Sequence, residues 1–160
     1  MKLLKLLGLE VESSNQYAKE IELNSNYNFI HNNFIISSQN DLFLLLEEKN
    51  DLIKALNFKF KIYKYGYPND EIGMTNYITG IELYGFYQVY NSEWIHELKS
   101  NNRQHPQHLD IHYSNYKHFV IRFKDVTLEV ISENYSDIKM TREELMKIVN
   151  KQLSFITAKE

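Results

Sequence analysis

Cysteine is absent from the 160 residues, so thiol nucleophiles, disulfide frameworks, cysteine-ligated zinc and iron–sulfur clusters are excluded from its chemistry. Glycine and proline are scarce, five and two. The glycines, at positions 8, 66, 73, 80 and 85, compose neither of the glycine-rich loops that cradle phosphate. The G-x-S-x-G turn that presents a nucleophilic serine is missing as well. No apolar run approaches the length that spans a bilayer. A net charge of −3 and a pI near 6.1 provide no long-range attraction to a phosphate backbone, which argues against a nucleic-acid partner.

What is abundant is aromatic: twelve Tyr and nine Phe against one Trp, residues that pack well on half-buried pleated surfaces and so point to substantial sheet. A chain of this length hides roughly 70% of its unfolded surface in one core, and residues 1–160 are read as a single domain. Met1-Lys2-Leu3-Leu4-Lys5-Leu6-Leu7 superficially resembles a secretion signal. Lys5 interrupts its apolar run, Glu10 and Glu12 follow at once, and no small-residue cleavage site appears. The segment reads as an amphipathic first element stopping near Gly8, and the expected location is cytoplasmic.

Along the chain, Leu42, Leu45, Leu46, Lys49, Ile53 and Leu56 recur at helical spacing behind Asn40-Asp41, predicting a helix over 41–56 with Asn50-Asp51 as a break. Residues 21–23, 27–30 and 34–36 read as short strands. Residues 58–65 alternate, placing Phe58, Phe60 and Ile62 on one face and Lys59 and Lys61 on the other. Tyr67-Pro68-Asn69-Asp70 carries turn chemistry. Tyr77 to Tyr90 alternates again, as one bent strand or two short ones, with Gly80 and Gly85 as bulges or close approaches. Ser92 caps a short helix with Trp94, Ile95 and Leu98 on its apolar stripe, ending near Asn101-Asn102.

His118 to Ile131 reads as a hairpin about Lys124-Asp125. That register sets Phe123 against Val126, Ile121 against Leu128 and Phe119 against Val130, with Arg122 diagonal to Glu129 on the other face. Thr141-Arg142-Glu143-Glu144 is a capping box, followed by a stripe of Leu145, Ile148, Val149, Gln152, Phe155 and Ile156. Strands cluster instead of alternating with helices. The expected class is therefore α+β, a mainly antiparallel sheet packed with about three helices, one of them C-terminal.

Candidate chemistry centres on histidine. If 108–113 is extended, His108, Asp110 and His112 share a face; with His118 or His96 from elsewhere they would compose a divalent-metal site for a hydrolase, the alternative reading. Positions four apart in a strand lie roughly 13 Å from each other, so His108 and His112 do not share one ion. Glu93-Trp94-Ile95-His96 has a di-iron ligand spacing but no second copy, and Ser100 stands where H-E-x-x-H requires histidine. Leu83 to Tyr90 distantly echoes the aromatic strand of RNA-binding sheets, yet Tyr84 and Gln88 occupy its basic and second aromatic positions. The leading reading is a non-enzymatic module that binds a protein partner, or a second copy of itself, through an aromatic sheet face. Tyr63, Tyr65 and Tyr67, or Tyr84 and Phe86, are the contact groups, with Arg122 and Glu129 as polar candidates; no cofactor is expected beyond the metal of the alternative.

Overall fold

Two fifteen-residue strands dominate the molecule, and their mutual pairing organises everything else. The computed structural model describes residues 15–24, 27–30, 32–66, 78–82 and 84–156. In chain order these form β1 (Tyr17–Glu20), β2 (Phe34–Ser37), β3 (Asp41–Lys49), β4 (Leu52–Gly66), β5 (Gly85–Tyr90), α1 (Glu93–Asn102), β6 (Lys117–Arg122), β7 (Thr127–Thr141) and α2 (Arg142–Ile156). A 3-10 turn, Asp110–Tyr113, precedes β6. The seven strands make one antiparallel sheet in the order β1-β5-β6-β7-β4-β3-β2. The class is α+β, with two α-helices among the described residues where the sequence predicts about three. The predicted first element before Gly8, the turn at 67–70 and Tyr67 lie outside the described residues.

The missing helix is the one predicted over 41–56. That segment is the β3–β4 hairpin, in which Leu42 pairs with Phe58, Leu44 with Leu56 and Leu45 with Ala55. Asn50 and Asp51, at φ 53° and 61°, make the left-handed two-residue turn that suits the twist of flanking strands, and Asn and Asp tolerate that conformation best after glycine. Alternating leucines placed two apart satisfy a strand as well as a helix, so the turn dipeptide decides. Of the shorter predictions, 34–36 is strand, whereas 21–23 and 27–30 are not.

The inner face buries Leu42, Leu44, Leu56, Phe58, Phe86, Phe119, Ile121, Leu128 and Val130, and Ile21, Leu23 and Phe29 pack over it. In a flat sheet β5 and β4, three positions apart, would be separated by about 14 Å. The Phe58 and Phe86 ring centroids are 6.2 Å apart, edge to face, so the sheet curls around its aromatic core. Two register shifts, between Phe58 and Phe60 and between Phe60 and Ile62, interrupt β4. Each irregularity changes which side chain points inward. Tyr63 consequently joins the core side beside Phe60, ring centroids 5.1 Å apart, and Ile62 turns to the exposed side. The simple alternation predicted for 58–65, with Tyr63 and Tyr65 opposite Phe58, is corrected by these bulges.

The β6–β7 hairpin has the predicted register: Phe119 faces Val130, Ile121 faces Leu128, and the Phe123 N–H donates to the Val126 carbonyl at 2.9 Å. Gly80, at φ 90°, is a close approach as predicted; a Cβ there would stand 2.5 Å from the Ala18 carbonyl oxygen.

Candidate functional site

The outer face of the sheet carries one helix at each end, and the two contacts differ in kind. At the β5–β6–β7 end, directly paired residues align Val89, His118 and Ile131, then Tyr87, Val120 and Glu129. His118 and Glu129 are thus diagonal neighbours on one face, within side-chain reach. His118 Nε2 lies 3.0 Å from Glu129 Oε2, and its Nδ1 lies 2.9 Å from Ser92 Oγ. All three residues are buried, at 2%, 5% and 4% exposure. A carboxylate only accepts, so in the neutral ring Nε2 carries the proton and Nδ1 accepts from the Ser92 hydroxyl. Ser92 also caps α1 as predicted, its Oγ accepting from the Ile95 N–H at 3.2 Å.

Trp94 packs edge to face on the His118 ring at 5.4 Å, and the Lys64 ammonium lies over the indole at 3.9 Å. Beside them opens a cavity of about 340 Å³ lined by Gln16, Lys64, Ile78, Glu93, Trp94, Glu97, His118 and Glu129.

At the β7–β4–β3–β2 end, Leu145 and Ile148 of α2 pack on Ile53, Ala55 and Met140. The capping box forms as predicted: Glu144 N–H donates to Thr141 Oγ1 at 3.2 Å and Thr141 N–H to Glu144 Oε2 at 2.7 Å. Those bonds hold the Glu144 carboxyl below its ordinary pKa. Arg142 forks onto Glu48 at 2.6 and 2.7 Å, tying the helix start to β3 and lowering the Glu48 pKa. α2 leaves the β3–β2 side open. There a groove of about 470 Å³ runs between helix and sheet, lined by Phe34, Leu45, Leu46, Ile53, Leu145 and Met146 among others. Beyond it Leu153, Phe155 and Ile156 stand in solvent, the last two 71% and 78% exposed.

The structure disperses the sequence-predicted candidates. Phe86 is buried in the core and Tyr84 is half-buried, so the β5 aromatics are packing residues and not a free face. Tyr63 is half-buried against Phe60, while Tyr65 is exposed and donates to Asn33 Oδ1 at 2.8 Å. Arg122 is buried and donates to the Glu82 carbonyl, not to Glu129. The segment predicted to be extended at 108–113 instead folds into the 3-10 turn, because Asp110 is drawn back onto α1 by Arg103, at 2.5 and 3.1 Å, and by Lys99 at 3.3 Å. The Arg103 guanidinium holds the Asp110 pKa down to about 2. His108 bonds the His105 carbonyl, and His96 and His112 are exposed. Among the described residues no three His, Asp or Glu side chains converge as metal ligands. Nothing in the sequence alone joins Ser92 to His118. The hairpin register carries the signal for His118 and Glu129, which it sets on one face, but in the sequence Glu129 reads as the partner of Arg122 instead.

No family model matches the chain, nor does any curated protein or solved structure.

Proposed function

We propose that the chain is a protein-interaction module that receives an amphipathic helix of a partner protein in the groove between α2 and the β3–β2 edge. The observation that carries this reading is the incomplete cover of an apolar sheet face. Phe34 and Ile36 of β2 pair with Leu45 and Phe43 of β3 on the side that α2 occupies. Four strands extend about 14 Å between their outer axes, and one helix covers about 10 Å. On the α2 side Leu145 and Met146 line the strip, and Met146 begins an apolar row that continues past the groove as Val149, Leu153 and Ile156, spaced 3, 4 and 3 as in a helix-packing seam. The side of α2 away from the sheet is polar, with Lys147 and Glu143 paired at 2.7 Å. The groove therefore combines apolar residues with the polar side chains of Asn32, Asn33, Glu47, Glu48 and Arg142, which suits an amphipathic helix laying an i, i+3, i+4, i+7 face into it.

A photocrosslinking residue placed at position 146 tests this in the protein's own cells. One dominant adduct is expected, abolished by Phe34→Asp with the melting temperature unchanged. Absence of an adduct, or an identical pattern in Phe34→Asp, overturns the reading.

A further inference from the structure

The opposite end of the sheet carries a second arrangement, independent of that groove. Strand β5 ends at Tyr90, and α1 begins at Glu93 after two residues. Asn91 takes the left-handed conformation at φ 53°, and Ser92 is left at the strand-to-helix corner. Ser92 has the unstrained backbone of a helix N-cap, φ −60° and ψ 118°, which holds its hydroxyl against the first N–H groups of α1. Behind Ser92 the hydrogen bonds run unbroken to His118 Nδ1 at 2.9 Å and from His118 Nε2 to Glu129 at 3.0 Å. The order of roles is that of a nucleophile, a base and an orienting carboxylate. The third requirement is a donor for a carbonyl oxygen beside the nucleophile. The Glu93 N–H, one residue after Ser92, already holds one: the side-chain carbonyl of Gln16, at 3.3 Å. Gln16, His118, Glu129 and Glu93 line the 340 Å³ cavity, whereas Ser92, 4% exposed, does not reach its wall in this arrangement.

We propose that Ser92 is an acylatable nucleophile for short-chain esters, with His118 as its base, Glu129 as the residue that positions His118, and the Gln16 amide occupying the place of the substrate carbonyl. The Ser92 O–H bond breaks as Oγ bonds the ester carbon, and the proton passes to Nδ1. The oxygen anion forms against the Glu93 N–H. Collapse breaks the ester C–O bond, and the leaving alkoxide takes the proton from Nδ1. Water then attacks acyl-Ser92 through the same nitrogen and releases the carboxylic acid, restoring the hydroxyl. A cavity of about 340 Å³ sits at the small end of ligand sites, which favours a small ester over a long-chain one. Entry requires the Gln16 side chain to withdraw.

The test is covalent labelling of the full chain with a fluorophosphonate ester, read by mass spectrometry of digested peptides. The proposal expects one adduct, on Ser92, forming faster in Gln16→Ala and about a hundredfold slower in His118→Gln. Ser92→Gly, which keeps the helix cap nearly intact, should give none. Glu129→Gln should displace the pH midpoint of labelling, which a purely structural contact would not move. No adduct on Ser92 in folded wild type and folded Gln16→Ala overturns the proposal, and so does labelling that persists in Ser92→Gly.

Discussion

α1 and α2 both start from a hydroxyl cap at the same sheet, yet only one of the two cap hydroxyls bonds a buried side chain of a strand. Ser92 binds its own helix and a histidine of β6, which in turn binds β7. The Thr141 hydroxyl bonds Glu144, within its own capping box. The α1 contact is directional and buried, so removing one atom strands others. The α2 contact is mainly apolar, resting on Leu145 and Ile148 with one exposed Arg142–Glu48 pair at the helix start, while Phe155 and Ile156 are exposed. A helix fixed by polar bonds suits a site that needs geometry, and one fixed by apolar contact along half its length suits a surface that adapts to a partner.

The largest test of that contrast is His118→Ala, which leaves the Ser92 hydroxyl and the Glu129 carboxylate buried without their partner. A loss of about 3 kcal/mol or more in urea denaturation is expected; a loss under about 1 kcal/mol would show that water replaces the ring at no cost and would erase the contrast. Next come the caps themselves. Ser92→Ala removes a cap and a buried partner and should cost about 2 kcal/mol, against about 1 kcal/mol for the exposed Thr141→Ala. Equal costs would mean the tie to His118 contributes nothing.

Smaller still is an acid effect confined to the α1 end. Asp110 is depressed from 3.8 to about 2 by Arg103, so its tie is complete above 3.8 and is lost as pH falls towards 2. The melting-temperature difference between wild type and Asp110→Asn should shrink across that window; a difference constant through it would detach the tie from the carboxylate charge. Last, Phe155→Asp at the free end of α2 should change stability by no more than about 0.5 kcal/mol, and a larger loss would show that the distal turns are held after all.

How much of this was legible in the sequence follows from the range of each signal. Local chemistry read through: the Ser92 and Thr141 caps, the α2 stripe and the β6–β7 register rest on neighbours within a few positions or on one hairpin. The 41–56 segment misled because Leu42, Leu45, Leu46 and Leu56 satisfy helical spacing while Leu42, Leu44, Leu56 and Phe58 satisfy a hairpin, and only the turn at Asn50-Asp51 separates them. The β4 bulges, which bring Tyr63 inward, arise in pairing with β7 and leave no trace in β4 itself. The site residues followed the same division. The hairpin register is compatible with His118 beside Glu129, but in the sequence Glu129 reads as the partner of Arg122, and the pairing of His118 with Ser92 required β5 to lie beside β6. The 108–112 histidines looked like a cluster only while the segment was drawn straight; an arginine seven positions before Asp110 folds it back.

The long ladder between β4 and β7 also sets a timetable. The β3–β4 and β6–β7 hairpins need only nearby residues and can close within microseconds. Their union waits for residues 127–141 to meet residues 52–66, a distant loop closure that belongs among the slow steps of folding. During synthesis β4 therefore emerges with one edge unpaired until β7 follows, and that interval, more than the finished molecule, is when the chain is most exposed to pairing with a neighbour.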